Sequence, residues 1–135
     1  MLNGGSTNID LGKSGNKFSI NISDCEFQHA GLINFIQRTI DHHAVDPKLL
    51  SLEVLESHAI TQSDDMKDLI FSLHNMGIEL IVDDFGVQCS NFAQTEFLPI
   101  TTLKIDGSFI ENIHESENSK IIVKTIQTFA REKGL

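Results

Sequence analysis

Two adjacent aspartates, Asp83 and Asp84, follow an apolar run from Ile78 to Val82 and precede Phe85 and Gly86. Ile, Leu and Val interrupted only by Glu79 have the length and composition of a strand buried on both faces. In a sheet of parallel strands wrapped by helices, ligands bind beyond the C-terminal strand ends, because loops there vary while the strands hold them still. The pair is therefore placed to do chemistry, although two aspartates before a glycine can equally do no more than cap or solvate a turn. Three other strand-like segments carry a polar group near the same end: Asn21 in FSINIS, Glu53 in LLSLEVLES and Lys104 in TTLKID. Core packing would favour Val, Ile or Leu at such positions.

The carboxylates of Glu53, Asp83 and Asp84 and the amide oxygen of Asn21 are hard donors, suited to magnesium, manganese or calcium rather than zinc. Two such ions about 3.5–4 Å apart activate a water and stabilise the leaving oxygen of a phosphodiester. One of two adjacent aspartates can bridge the ions, and Lys104 would add a fixed positive charge beside the phosphate or the attacking hydroxide. Asp83 and Lys104 are thus the catalytic candidates, and Asn21, Glu53, Asp83 and Asp84 the metal-ligand candidates. The competing account is a structural salt-bridge network at the strand ends.

The elements that must position these groups alternate. FSINIS (18–23) reads as a strand, followed by a helix in which Leu32, Ile33, Ile36 and Ile40 recur at helical spacing, closing near His43 before Asp46 and Pro47. LLSLEVLES (49–57) is a second strand, and residues 63–76 a helix with Met66, Leu69, Ile70 and Leu73 on one face and Gly77 as its stop. After the third strand, residues 89–97 suggest a short irregular helix. Pro99 sets the entry to the fourth strand, residues 101–106. A last helix over residues 117–133 points Ile121, Ile122, Ile126 and Phe129 inward and stops at Gly134. Strand and helix patterns alternating four times predict an α/β fold of parallel β-α units. Residues 1–16 read as a flexible lead-in or a cloning remnant, and residues 17–135 as the domain.

A chain of 135 residues supports one domain with a real core, but falls short of the roughly 250 that a complete eight-unit barrel takes. The net charge of −9 argues against a nonspecific grip on nucleic acid polymers, and an anionic substrate would need metal ions or a local cation. Cys25 and Cys89 lack zinc spacing and fit a reducing compartment. No run is long and apolar enough to span a membrane, so a cytoplasmic protein is expected. GKS at 12–14 precedes a strand and has Thr7 where a phosphate loop needs its first glycine, so it reads as a turn. His42 and His43 are adjacent and cannot form an i,i+4 metal pair. His29, His58, His74 and His114 have no His or Cys partner at metal spacing. The nine phenylalanines, without Trp or Tyr, suggest packing rather than base stacking.

The ordered set FSINIS, LEVLES, IVDDFG and LKIDGSFI resembles the EAL family, bacterial phosphodiesterases that hydrolyse the second messenger cyclic di-GMP to linear pGpG. The resemblance runs from Phe18 to the C-terminus and implies about half of a TIM-like (β/α)8 barrel of EAL type. It implies magnesium or manganese held by Asn21, Glu53, Asp83 and Asp84, a water-contacting role for Lys104, and a role for Glu56 in steadying the loop after the Asp-Asp strand. DFG also occurs in protein kinases, but no H-R-D precedes Asp84 and no glycine-rich phosphate loop opens the chain.

Two departures from the family pattern stand out. The chain has no E-A-L tripeptide and ends before a second metal-binding glutamate that the family usually carries. The loop after Gly86 reads Val87, Gln88, Cys89, Ser90, Asn91 in place of the usual Thr-Gly-Tyr-Ser-Ser. Losing the glycine at position 88 removes freedom for positive φ. The resemblance thus implies cyclic di-GMP as ligand, little or no activity from this chain alone, and a diguanylate cyclase (GGDEF) or sensor domain as a possible neighbour. A catalytically silent EAL-like module binding the nucleotide or a protein partner is the alternative. Half a barrel leaves two sheet edges unpaired, so homo-oligomers formed through those edges are expected.

Overall fold

The computed structural model describes residues 16–23, 26, 29, 31–59, 64–87 and 92–135. Four parallel strands lie in sequence order, β1 (Phe18–Asn21), β2 (Leu50–Leu55), β3 (Glu79–Phe85) and β4 (Thr102–Ile105). Between and after them run α1 (Leu32–His43), α2 (Glu56–Ala59), α3 (Asp64–Asn75), α4 (Phe92–Thr95), α5 (Gly107–Glu111) and α6 (Glu117–Lys133). The parallel β-α alternation expected from the sequence is the fold. Of the expected lead-in over residues 1–16, residues 1–15 lie outside the described residues, as do Cys25 and Cys89.

The strands have two unlike faces. Register partners share a face, so Leu52 and Val54 line up with Leu80 and Val82, and these side chains are buried beneath Ile40, Ile70, Leu73 and Ile126 of the helices. The opposite face carries Ser19, Asn21, Ser51, Glu53, Glu79, Asp83, Thr102 and Lys104. The third strand is therefore not buried on both faces, as its composition suggests. Its burial alternates residue by residue from Glu79 to Asp83, the period-2 pattern of a sheet covered on one side, and Phe85 is buried again beyond the exposed Asp84.

Several boundaries shift for local reasons. The second strand stops at Leu55, and Glu56 opens α2 immediately. Asp46 caps a 3-10 turn at Pro47–Leu49 by accepting from the Lys48 N–H at 3.0 Å. Asp106 likewise caps α5, a helix the sequence pattern does not signal. Gly77 and Gly134 end α3 and α6 with positive φ of 89° and 75°. On α6 the inward row is Ser119, Ile122, Val123 and Ile126, an i, i+3, i+4, i+7 stripe. Ile121 falls off that stripe and is 62% exposed, contrary to the inward placement expected for it. The phenylalanines are also not uniformly core: Phe85 is fully buried, whereas Phe97 is 76% exposed.

Gly86 has a structural reason of its own. Its φ is +108°, and a Cβ there would come within 3.0 Å of Phe109 and 3.1 Å of Ile126. Gly86→Ala should therefore lower unfolding stability in urea by about 2–3 kcal/mol, from backbone strain and overpacking together. Gly134→Ala, where nothing lies within 4 Å, should cost no more than about 1 kcal/mol.

Candidate functional site

The Asp-Asp pair lies inside β3 rather than after it, and the reason is a bulge. Val82 pairs with Leu103 and Phe85 with Ile105, so Asp83 and Asp84 together oppose the single residue Lys104. Asp84 absorbs the extra residue in a left-handed conformation, φ 55°, which an aspartate tolerates better than a β-branched residue. Its N–H donates to Asp83 Oδ1 at 3.0 Å. The two carboxylates nonetheless reach different parts of the rim. Asp83 stays on the polar face in register with Leu55, where its charge helps raise the pKa of Lys104. Asp84 lines a cleft of about 130 Å³ with Leu55, Glu56, Ser57, Val87 and Asp106.

Glu53 stands at the centre of the polar face. It is 8% exposed, and its two oxygens are held from opposite sides. Lys104 Nζ donates to Oε2 at 2.6 Å, and the Ser19 hydroxyl donates to Oε1. Lys104 first, and Ser19 second, hold the Glu53 carboxyl below its ordinary value, while the same bond to Glu53 raises the Lys104 ammonium above its own. Asn21 lies on β1 in register with Glu53. Nearer the N-terminal strand ends, Lys17 Nζ donates to Glu79 Oε1 at 2.5 Å and the Ser51 hydroxyl to Glu79 Oε2 at 3.2 Å. The polar face is thus tiered, each glutamate gripped by one lysine and one serine.

Glu56 sits behind the rim. It is 2% exposed, and its Oε2 accepts from the Gly86 N–H at 3.0 Å. Its other oxygen, Oε1, is buried without a hydrogen-bond partner among the described residues. Asp106 escaped the sequence reading. It follows Lys104 by two residues, its own N–H reaches Phe85 O at 3.4 Å, and it shares the cleft with Asp84. Burial, then the charges of Asp83 and Asp106, push the Asp84 carboxyl above its ordinary value. The available signal was a fourth strand-end acid, in LKID, two residues after the lysine already singled out. His42 and His43 end α1 as exposed residues with rings 4.8 Å apart.

The rim therefore crowds carboxylates that, among the described residues, have no matching cation on the Asp84 side. That surplus charge, and the all-oxygen donor set of Asn21, Glu53, Asp83, Asp84 and Asp106, fit a hard divalent cation. Among the described residues, no three acidic, histidine or cysteine side chains form a ready cage.

Two outcomes follow from the electrostatics. Asp84 has a raised folded pKa, so its ionised form costs stability at neutral pH and the cost is relieved on acidification. Asp84→Asn should raise the melting temperature at about pH 7 by no more than about 2 °C, because the exposed carboxylate is screened by solvent, with the gain shrinking in acid. The Glu53–Lys104 pair has the opposite sense. Its contribution is complete between the ordinary values of 4.5 for Glu and 10.5 for Lys. It is lost as pH falls through the lowered Glu53 value, or rises through the raised Lys104 value. Urea midpoints of the wild type and Glu53→Gln should therefore differ by a constant amount across that window and converge outside it.

Comparison with known proteins agrees with this architecture. The sequence profile of the EAL domain matches residues 7–135. The bifunctional diguanylate cyclase/cyclic di-GMP phosphodiesterase MucR of Pseudomonas aeruginosa is 32% identical over 94% of this chain and 18% of its own length. The cyclic di-GMP phosphodiesterase PdeA of Borreliella burgdorferi is 32% identical over 87% of this chain, again 18% of its own length. A solved structure of the P. aeruginosa MucR phosphodiesterase in complex with c-di-GMP superposes with a TM-score of 0.82 at 32% identity, covering 88% of this chain and 48% of that one. The chain thus spans about a fifth of these curated relatives and about half of that structure. With the family profile matched along almost its whole length, the chain belongs to the EAL domain family.

Proposed function

We propose that this chain is part of a metal-dependent phosphodiesterase domain that hydrolyses cyclic di-GMP to linear pGpG. The observation that carries the reading is the β3 bulge. It offers two adjacent carboxylates to different parts of one rim, opposite a lysine on the neighbouring strand. The names of the relatives, which include cyclic di-GMP phosphodiesterases, support the substrate class.

A bound magnesium or manganese ion would act as Lewis acid and lower the pKa of a bound water. Asn21, Glu53, Asp83, Asp84 and Asp106 are the oxygen donors of this chain that would hold it. Lys104, half-exposed at the same rim, places a positive charge where a phosphate or an attacking oxygen could be held. The buried Glu56 fixes the turn at Gly86, and with it the C-terminal end of the strand that carries both aspartates. The net charge of −9 would repel an anionic dinucleotide, so binding should depend on a cation.

A second reading, a module that binds the nucleotide without turnover, is supported by the altered residues 87–91. Within either reading, the polar sheet face and the edges at β1 and β4 would be covered by further β-α units or by another copy of the chain.

Calorimetric titration of cyclic di-GMP with and without manganese separates these readings. The phosphodiesterase lineage expects binding that requires the metal and is weakened at least about tenfold in Asp83→Asn, with little or no turnover by this chain alone. Binding indifferent to metal would favour the silent module. No binding under either condition would overturn both.

A further inference from the structure

The polar tier around Glu53 contains a residue that the proposed chemistry does not use. Ser19 lies on the edge strand β1, on the open face of the sheet, and is exposed to solvent. Nothing in the packing asks for a hydroxyl there. The buried side chains of the sheet lie on the other face, and an exposed edge-strand position accepts Ala, Thr or Val with little change in stability. Yet the hydroxyl reaches across to β2 and donates to Glu53 Oε1. Ser19 is one of the two side chains whose hydrogen bonds fix the Glu53 carboxylate, and the other, Lys104 on Oε2, is a candidate for the reaction itself.

We infer that Ser19 is a positioning residue, which sets the plane of the Glu53 carboxylate so that a divalent cation meets it in one orientation. The inference rests on the reading of Glu53 as a metal ligand. Lys104 alone, a point charge on a flexible stem that contacts only Oε2, would leave the carboxylate free to turn about its bond to the side chain. With Ser19 gripping Oε1 from the β1 side, the carboxylate is held between two strands. Each oxygen then keeps a lone pair that neither donor uses. Groups hydrogen-bonded to ligating carboxylates contribute to affinity in this way without touching the ion. They do so best when they stand on rigid strands rather than loops. Ser19 and Glu53 meet that condition, since β1 and β2 are in continuous parallel register from Phe18–Leu50 to Asn21–Glu53.

The neighbouring tier supplies the control. Ser51 makes the analogous contact to Glu79, at 3.2 Å, one tier below Glu53. Manganese affinity should be measured calorimetrically on the 135-residue chain, without nucleotide, for the wild type, Ser19→Ala, Ser19→Thr and Ser51→Ala. Melting temperatures should be recorded in parallel. The expected result is about tenfold weaker binding in Ser19→Ala, recovery in Ser19→Thr, which keeps the hydroxyl, and wild-type affinity in Ser51→Ala. The melting temperature of Ser19→Ala without metal should stay within about 2 °C of the wild type. Affinity within about twofold of wild type in Ser19→Ala, or an equal loss in Ser51→Ala, would overturn the role of Ser19 while leaving the metal site standing. No manganese uptake by the wild type would overturn the metal reading of Glu53 and this inference together.

Discussion

The site depends on one irregularity in one strand. Between Val82 and Phe85 the chain spends two residues where its neighbour spends one, and Asp84 takes the strain in a left-handed conformation. Phe85 makes this possible. It is fully buried, it packs against Phe92 with ring centroids 5.5 Å apart, and it re-enters register opposite Ile105. An apolar anchor of that size offsets the local backbone cost, since full burial of such a side chain contributes about 1.5–3 kcal/mol. Glu56 and Gly86 close the arrangement from behind, the one through its hydrogen bond and the other by accepting a φ that a side chain would forbid. Without the bulge, strand alternation would send Asp83 and Asp84 to opposite faces of the sheet, and Asp84 would point toward the helices.

The second organising feature is the asymmetry of the sheet. Its helix-covered face is a conventional apolar layer. The other face carries successive polar tiers, with Leu55 and Ile81 among them: Lys17, Ser51 and Glu79, then Ser19, Glu53 and Lys104, then Asn21 and Asp83. Barrel interiors are commonly filled by Val, Ile and Leu, so ion pairs inside this curve of strands limit what can cover them. Whatever lies against this face must be polar, hydrated or ionic, because a dry apolar surface would strand the outermost charges at Lys17, Asp83 and Lys104. The same tiers keep the glutamates ionised, and that preserves them as acceptors for a lysine, a serine or a cation.

Stability and chemistry pull against each other at the rim. Asp84 is crowded by Asp83 and Asp106, and its carboxyl is raised in pKa. Glu56 holds one carboxylate oxygen buried without a hydrogen-bond partner among the described residues. A chain selected for stability alone would place Asn or Ser at the first position and Gln or Met at the second. Strain and unmatched charge gathered within one cleft, on a scaffold otherwise regular, set this end of the sheet apart from the rest.

The sequence by itself determined the β-α alternation, the parallel sheet, the membership implied by four ordered motifs and the set of strand-end polar residues, because each is written in local composition and spacing. It misjudged the third strand as buried on both faces. Ile81 and Val82 are chemically alike, and only the placement of helices decides which of them meets the core. It placed Ile121 inward for the same reason, and it passed over Asp106. Its local context is that of a helix cap, which it also is. Only the tertiary structure decided that Asp83 and Asp84 oppose one residue, that Lys104 crosses a strand to grip Glu53, and that Ser19 holds the other oxygen. These are relations between strands set by register across the sheet, and register is a property of packed neighbours rather than of any one segment.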